Sequence, residues 1–187
     1  VPLMHDEGEQ LPLEEVLRVM TKPLQDPVLL KIMQNAKYDA QIMAQYGIEL
    51  NGFEDTMLMS YARYGGKHRH NMDDLAMIYL GYKTIKYAEV AGNAPFNTVG
   101  IEAATQYSAE DADITLRLYE KFSSDFANHN GDLQALNIYG GVELPLVNVL
   151  ARMERRGIYV DRERLAELGE EFSAKRDEQL DQLEEML

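Results

Sequence analysis

Residues 105–122, TQYSAEDADITLRLYEKF, read as one amphipathic helix with an acidic residue set in its apolar stripe. Ala104, Tyr107, Asp111, Ile114 and Leu118 follow one another at intervals of three or four, the spacing that lines up one face of a helix, and the pattern continues toward Phe122 and Phe126. Asp111 therefore stands where the periodicity calls for hydrocarbon. An unpaired carboxylate there costs several kcal/mol or takes up a proton, and the remedies are a cation, dense hydrogen bonding or a metal. Tyr107, one turn earlier on the same stripe, could hydrogen-bond a nucleophilic water or a phosphate oxygen.

Outward from this helix, composition sets wide limits. The 187 residues, 45% of them hydrophobic, suffice for one large or two modest domains with a proper core. No run approaches the roughly 18 apolar residues of a membrane span, and VPLMHDEGEQLPLEE has neither the basic segment nor the apolar core of a secretion signal. Zero cysteines exclude disulfides and thiolate metal sites. Thirty-two acidic residues against eighteen Lys and Arg give a net charge of -14, which argues against autonomous binding to duplex DNA. It leaves a nuclease open, because a divalent metal can supply local positive potential at a scissile phosphate.

Upstream, VPLMH reads as the end of a strand and DEGEQ as an acidic turn. In LPLEEVLRVMTKPL, Leu13, Val16, Leu17 and Met20 fall at helical spacing, and Pro23 is expected to end the helix. PVLLKIMQN fits a short buried strand broken at Asn35. KYDAQIMAQYG then reads as a helix with Tyr38, Ile42 and Met43 inward and Gly47 at its C-terminal end, after which IELNGFED returns to the sheet edge. DTMLMSYARYGG is a helix with an acidic cap, and KHRHNMDDLAMIYLGY another, capped by Asn71 or Asp73, with Leu75, Ile78 and Tyr79 inward. TIKYAEVAGNAPFN is a loop with a short turn. His68 and His70, lacking a third ligand at suitable spacing, are expected to face solvent.

Composition changes again at HNGDLQALNIYGG. ELPLVNVLARMERRG follows as a helix with Leu146, Val149, Leu150 and Met153 on its apolar face, and Gly157 caps it. Asp161 begins a last helix in which Leu165, Leu168, Phe172, Leu183 and Leu187 share a face, so the pair reads as an antiparallel helical arm. The expected order is an α/β domain over 1–126, a linker over 127–141 and a helical segment over 142–187.

A second constellation is QNAKYD, which places Asn35 and Asp39 four residues apart at the strand-to-helix corner. Two carboxylates from separate elements, Asp39 and Asp111, could grip divalent metals with a substrate phosphate between them.

The succession QNAKYD, YGIEL, FEDTML, HNMDDLA and QYSAEDADITLRLY resembles the 3'-5' proofreading exonuclease domain of the bacterial family A (DNA polymerase I) DNA polymerases. ELPLVNVLARMERRGIYVD resembles the junction with the polymerase domain and the base of its thumb. The resemblance implies a ribonuclease H-like α/β exonuclease domain lacking its first strands, then a helical polymerase segment. It implies that Asp39 and Asp111 are metal ligands, with Mg2+, or else Mn2+ or Zn2+, as the cofactor, and that Tyr107 orients the attacking water. Asn35, Arg69 and Tyr87 fall where relatives meet the single-stranded 3' end of DNA. The reaction implied is in-line hydrolysis of the terminal phosphodiester in a bacterial cytoplasmic enzyme of DNA replication and repair.

Each residue also has a plainer reading. Asp111 could be a hydrogen-bonded helix carboxylate, Asp39 a helix cap, Asn35 a turn residue, Tyr87 local packing and Arg69 surface charge. The sequence departs from the family in one respect: nothing before Asp39 offers an Asp-x-Glu pair on a strand, since Asp6 and Glu7 sit in a loop segment. The piece would thus hold half a metal site and be inactive alone, with the rest of the polymerase chain as its partner and self-association a way to cover exposed faces. A catalytically silent scaffold is the first alternative, opposed by the presence of both Asp39 and Asp111. A stand-alone exonuclease of the ribonuclease H-like superfamily is the second, opposed by the polymerase-like residues 143–161.

Overall fold

A computed structural model describes residues 3–128 and 133–185. Val1, Pro2, residues 129–132 and Leu187, which figured in the sequence reading, lie outside the described residues. The chain divides into two compact units, 1–155 and 156–187.

In the first unit, helix α1 (Leu13–Gln25) leads to strand β1 (Lys31–Met33), helix α2 (Ala36–Gln45) and strand β2 (Phe53–Asp55). The strands pair in parallel, Lys31 opposite Phe53 and Met33 opposite Asp55, with α2 as the crossover that parallel strands require. Gly52 immediately precedes β2 at φ +62°, and a Cβ there would meet the Pro27 carbonyl oxygen at 2.5 Å, so only glycine lets the chain enter β2 so close to Pro27. Helices α3 (Thr56–Tyr64) and α4 (Met72–Leu75) follow, the latter running into a π-helical turn, Ala76–Leu80. After a short helix α5 (Tyr87–Val90) and a 3-10 turn (Phe96–Thr98) comes α6 (Ile101–Asn128), the long helix expected around Tyr107 and Asp111. Helix α7 (Leu133–Ile138), a second π turn (Tyr139–Glu143) and α8 (Leu144–Arg156) complete the unit.

The stripe on α6 builds the larger core. Ile114, Leu118, Phe122 and Phe126 are buried against Met59, Leu75, Ala76, Ala135 and Tyr139. A smaller cluster joins Ala36, Ala40, Leu50 and Phe53 to Val147 of α8. Together these form the small α/β sheet and mostly helical surround expected of a partial ribonuclease H-like domain.

Several local expectations are corrected. Leu3–His5 forms no strand; the His5 ring packs on Phe96 with centroids 5.7 Å apart, and its Nδ1 lies 2.9 Å from the Val99 carbonyl oxygen. Pro23 does not end α1, because in a last turn it removes one ladder bond while Asp26 N–H still reaches the Lys22 carbonyl at 3.0 Å. Tyr38 of α2 is exposed, and the small residues Ala36 and Ala40 face the core instead, letting the helix lie close to the sheet. Ile78 is exposed because the π turn delays the helical phase after Leu75 and Ala76.

Residues 133–141, within the segment read as a linker, contribute Ala135 and Tyr139 to the core. The Tyr139 hydroxyl donates to a Glu54 carboxylate oxygen and accepts the Asp55 N–H at 3.0 Å, so this stretch is tied to β2. The buried face of α8 is Val147 and Ala151, with Val149 and Met153 exposed. Glu154 falls on that same face, where Lys37 Nζ meets it at 2.5 Å and Gln41 also donates to it. In the second unit, helix α9 (Arg162–Glu185) has Leu165, Phe172, Leu180 and Leu183 exposed.

Candidate active site

Two groups of residues emerge, one on α6 and one at the β1–α2 corner. On α6, Tyr107 and Asp111 are half-buried, whereas Ile114, Leu118 and Phe122 further along the stripe are fully buried. Burial, reinforced by the Glu110 carboxylate, pushes the Asp111 carboxyl up to about 6, against the opposing hydrogen bond from Tyr107; Asp73 on α4 pushes in the same direction. The Tyr107 phenol is itself pushed up to about 12 by burial, Asp111 and Asp73, so it remains a hydroxyl donor at neutral pH.

The surrounding acids are held by the loop after α4. Glu110 accepts from the Tyr82 hydroxyl and the Ile85 N–H, both at 2.7 Å, and Asp73 accepts from the Thr84 hydroxyl at 2.7 Å. Tyr87 follows this loop directly. Its ring is 46% exposed, stacks on Phe96 with centroids 5.9 Å apart, and meets Tyr107 edge-on at 6.4 Å. Phe96 closes the triangle, 5.8 Å from Tyr107. An aromatic platform with an open face thus adjoins the Tyr107–Asp111 pair.

At the other corner, Asn35 adopts the left-handed conformation (φ 62°, ψ 50°) that turns the chain from β1 into α2. Its side chain makes no cap hydrogen bond. Asp39, half-buried on the first turn of α2, has its carboxyl raised to about 6 by burial and by the neighbouring Asp55 carboxylate. The Gln34 side chain donates to the His70 carbonyl at 3.0 Å, which brings the loop carrying exposed Arg69 to the same corner. His68 and His70 are half-buried rather than solvent-facing: His68 Nε2 lies 2.8 Å from the Tyr79 hydroxyl and His70 Nδ1 2.9 Å from the Ser60 hydroxyl. The aromatic rings of Tyr64 and Tyr79 stack above α6 and draw the histidines in.

The structure therefore places Tyr87 against Tyr107, one turn from Asp111, and sets Asn35 and Asp39 at the start of α2, while Asp39 and Asp111 are perturbed by different neighbours. Among the described residues no three His, Asp or Glu gather as a metal-ligand cluster. Asp39 and Asp111 nonetheless suit a cation, since neither has an ion-pair partner among the described residues and burial and like charge make each carboxylate costly without one. Sequence reasoning overlooked Phe96, Asp73 and Glu110; their roles come from loop geometry that has no periodic signature.

Raised carboxyl values carry a stability consequence. Between the ordinary value of 3.8 and about 6, the folded chain keeps protons that the unfolded chain releases, so stability is lost as pH rises through this window. Asp111→Asn is expected to stabilise the chain in EDTA at pH 8 by about 1 kcal/mol, a shift discounted for partial exposure, and to be neutral below pH 4. Urea unfolding at the two pH values measures this, and a destabilised Asn variant at pH 8 would contradict it.

The profile of the 3'-5' exonuclease family matches residues 4–127. The chain belongs to that family. It is 40% identical over 188 aligned residues to DNA polymerase I of Rhizobium leguminosarum, covering 92% of this chain and 18% of that protein. It is 41% identical to DNA polymerase I of Pseudomonas aeruginosa, covering 93% and 20%. The chain thus spans about a fifth of the length of these relatives. A solved structure, the POL domain of Pol1 from M. smegmatis in complex with DNA primer-template and dNTP, superposes with a TM-score of 0.67 at 28% identity, over 89% of this chain and 26% of that one. Among the described residues no helix is long and apolar enough to cross a membrane.

Proposed function

We propose that this chain is the distal part of the proofreading 3'-5' exonuclease domain of a bacterial DNA-directed DNA polymerase of replication and repair, together with the start of its polymerase domain over 142–187. The observation that carries the proposal is the Tyr107–Asp111 pair beside the exposed Tyr87 ring, in a chain whose family is the 3'-5' exonuclease. The substrate is the single-stranded 3' end of DNA, and the enzyme works in the cytoplasm.

Asp39 and Asp111 would hold divalent cations, Mg2+ or alternatively Mn2+ or Zn2+, whose chemistry is to lower the cost of charge on the attacking and departing oxygens. The protein's own groups do the rest. With a cation on Asp111, the Tyr107 hydroxyl, still protonated at neutral pH, would turn to the attacking water and align it with the terminal phosphorus. Tyr87 and Phe96 offer a stacking face to an unpaired base, worth about 1–3 kcal/mol per base, while Asn35 and Arg69 meet the strand from the opposite corner.

Tyr107→Phe tests the arrangement. In the full-length polymerase it should slow excision of an unpaired 3' end about 10- to 100-fold at saturating substrate, the worth of one hydrogen bond to a charged reaction centre, while single-stranded DNA binding is unchanged. Single-turnover kinetics read it directly. An unaltered excision rate would remove Tyr107 from the reaction.

A further inference from the structure

Asp55 is 1% exposed, and no part of the proposed reaction uses its carboxylate. It is the last residue of β2 and the N-cap of α3, and its two oxygens together accept from four backbone N–H groups. Oδ1 accepts from the N–H groups of Met57 at 2.9 Å and Leu58 at 3.4 Å, which closes the first turn of α3. Oδ1 also accepts from Asn35 N–H at 3.1 Å, and Oδ2 accepts from Ala36 N–H at 2.7 Å. A helix cap needs only the first two. The other two reach across the sheet to the left-handed corner, where Ala36 is fully buried and its amide has no water to turn to.

We infer that Asp55 is a positioning residue of the exonuclease site, locking the Asn35–Ala36 corner so that the first turn of α2 presents Asp39 in a fixed direction. This rests on the exonuclease reading above. The surroundings hold Asp55 in turn. Its own N–H donates to the Tyr139 hydroxyl at 3.0 Å, and the next residue, Thr56, donates its hydroxyl to the Met33 carbonyl at 3.1 Å and to the Gln34 side chain. The end of β1 and the π turn before α8 thus hold the backbone of β2 and the start of α3 around Asp55, whose carboxylate reaches the start of α2. Groups that orient metal ligands without touching the metal typically influence affinity or rate about 10- to 100-fold.

The test uses the full-length polymerase that carries this segment. Asp55→Asn retains an oxygen for the α3 cap and for Asn35 but sets an NH2 group against the Ala36 N–H. The expected result is about a 10- to 100-fold rise in the Mn2+ concentration that half-saturates excision, and weaker Mn2+ binding by electron paramagnetic resonance without DNA. Polymerisation should stay near its original rate, and the full-length chain should remain folded although the Ala36 N–H loses its acceptor. In an Asp39→Ala background, Asp55→Asn should add no further loss of Mn2+ binding.

Unchanged Mn2+ dependence, losses that simply add in the double variant, or a variant that unfolds and loses polymerisation as well would each overturn the inference, the last by showing a purely structural role. If Asp39→Ala alone leaves excision intact, the exonuclease reading itself falls, and the inference with it. If Asp39→Ala abolishes excision while Asp55→Asn does nothing, only the positioning role falls.

Discussion

Asp111→Ala in the full-length polymerase is expected to lower excision of a mismatched 3' end by about a thousandfold or more, and to leave nucleotide incorporation within about twofold. The size follows from the charge chemistry. A cation held at Asp111 would stabilise the transition state by several kcal/mol, and each 1.36 kcal/mol is a factor of ten. The selectivity follows from position, because Asp111 lies on α6 among Tyr107, Glu110 and Asp73, within the stretch that matches the exonuclease family. Excision of a labelled mismatched primer, followed with and without dNTP, separates the two activities. Excision at the original rate would show that Asp111 is a helix carboxylate satisfied by Tyr107 and nothing more.

The largest stability effect is expected from Phe122→Ala. Phe122 is fully buried in the middle of α6, its ring 5.1 Å from that of Tyr79 and 6.4 Å from that of Tyr64. Those tyrosines come from α3 and the π turn, so the ring joins three elements, and a cavity there cannot collapse without moving all of them. The expected cost is about 3–5 kcal/mol, a large share of the roughly 5–15 kcal/mol that holds a domain folded. Phe122→Leu, which nearly conserves volume, should cost less than about 1.5 kcal/mol. Urea unfolding at constant slope measures both. A loss under 1 kcal/mol for the alanine variant would mean that α6 does not organise this core.

Much of this arrangement was legible because local chemistry and tertiary structure agree. The stripe on α6 is set by residue spacing alone, and it buries Ile114, Leu118 and Phe122 as spacing requires. Asn35 interrupts its segment because it is among the residue types that tolerate the left-handed conformation. Asp55 caps α3 because a short carboxylate reaches the free N–H groups of a helix start.

The misreadings share a different origin. Periodicity points Tyr38 and Ile78 inward, but an Ala36/Ala40 face packs closer to the sheet and a π turn shifts the phase. Tyr139 looked like part of a linker because its partners, Glu54 and the Asp55 N–H, are more than eighty residues away in the chain. His68 and His70 looked solvated because the rings that enclose them belong to other elements.

The amino-acid order alone thus determined the longer helices, strands β1 and β2 and the chemical character of Asn35, Asp39, Tyr107 and Asp111, since propensity and periodicity act over a few neighbouring residues. Only the tertiary structure decided that one buried carboxylate, Asp55, ties the corner before Asp39 to the start of α3, and that Tyr87 and Phe96 stand beside Tyr107. Those pairings depend on loop closure and on competition for buried hydrogen bonds between distant segments, and both are settled when the core forms around α6.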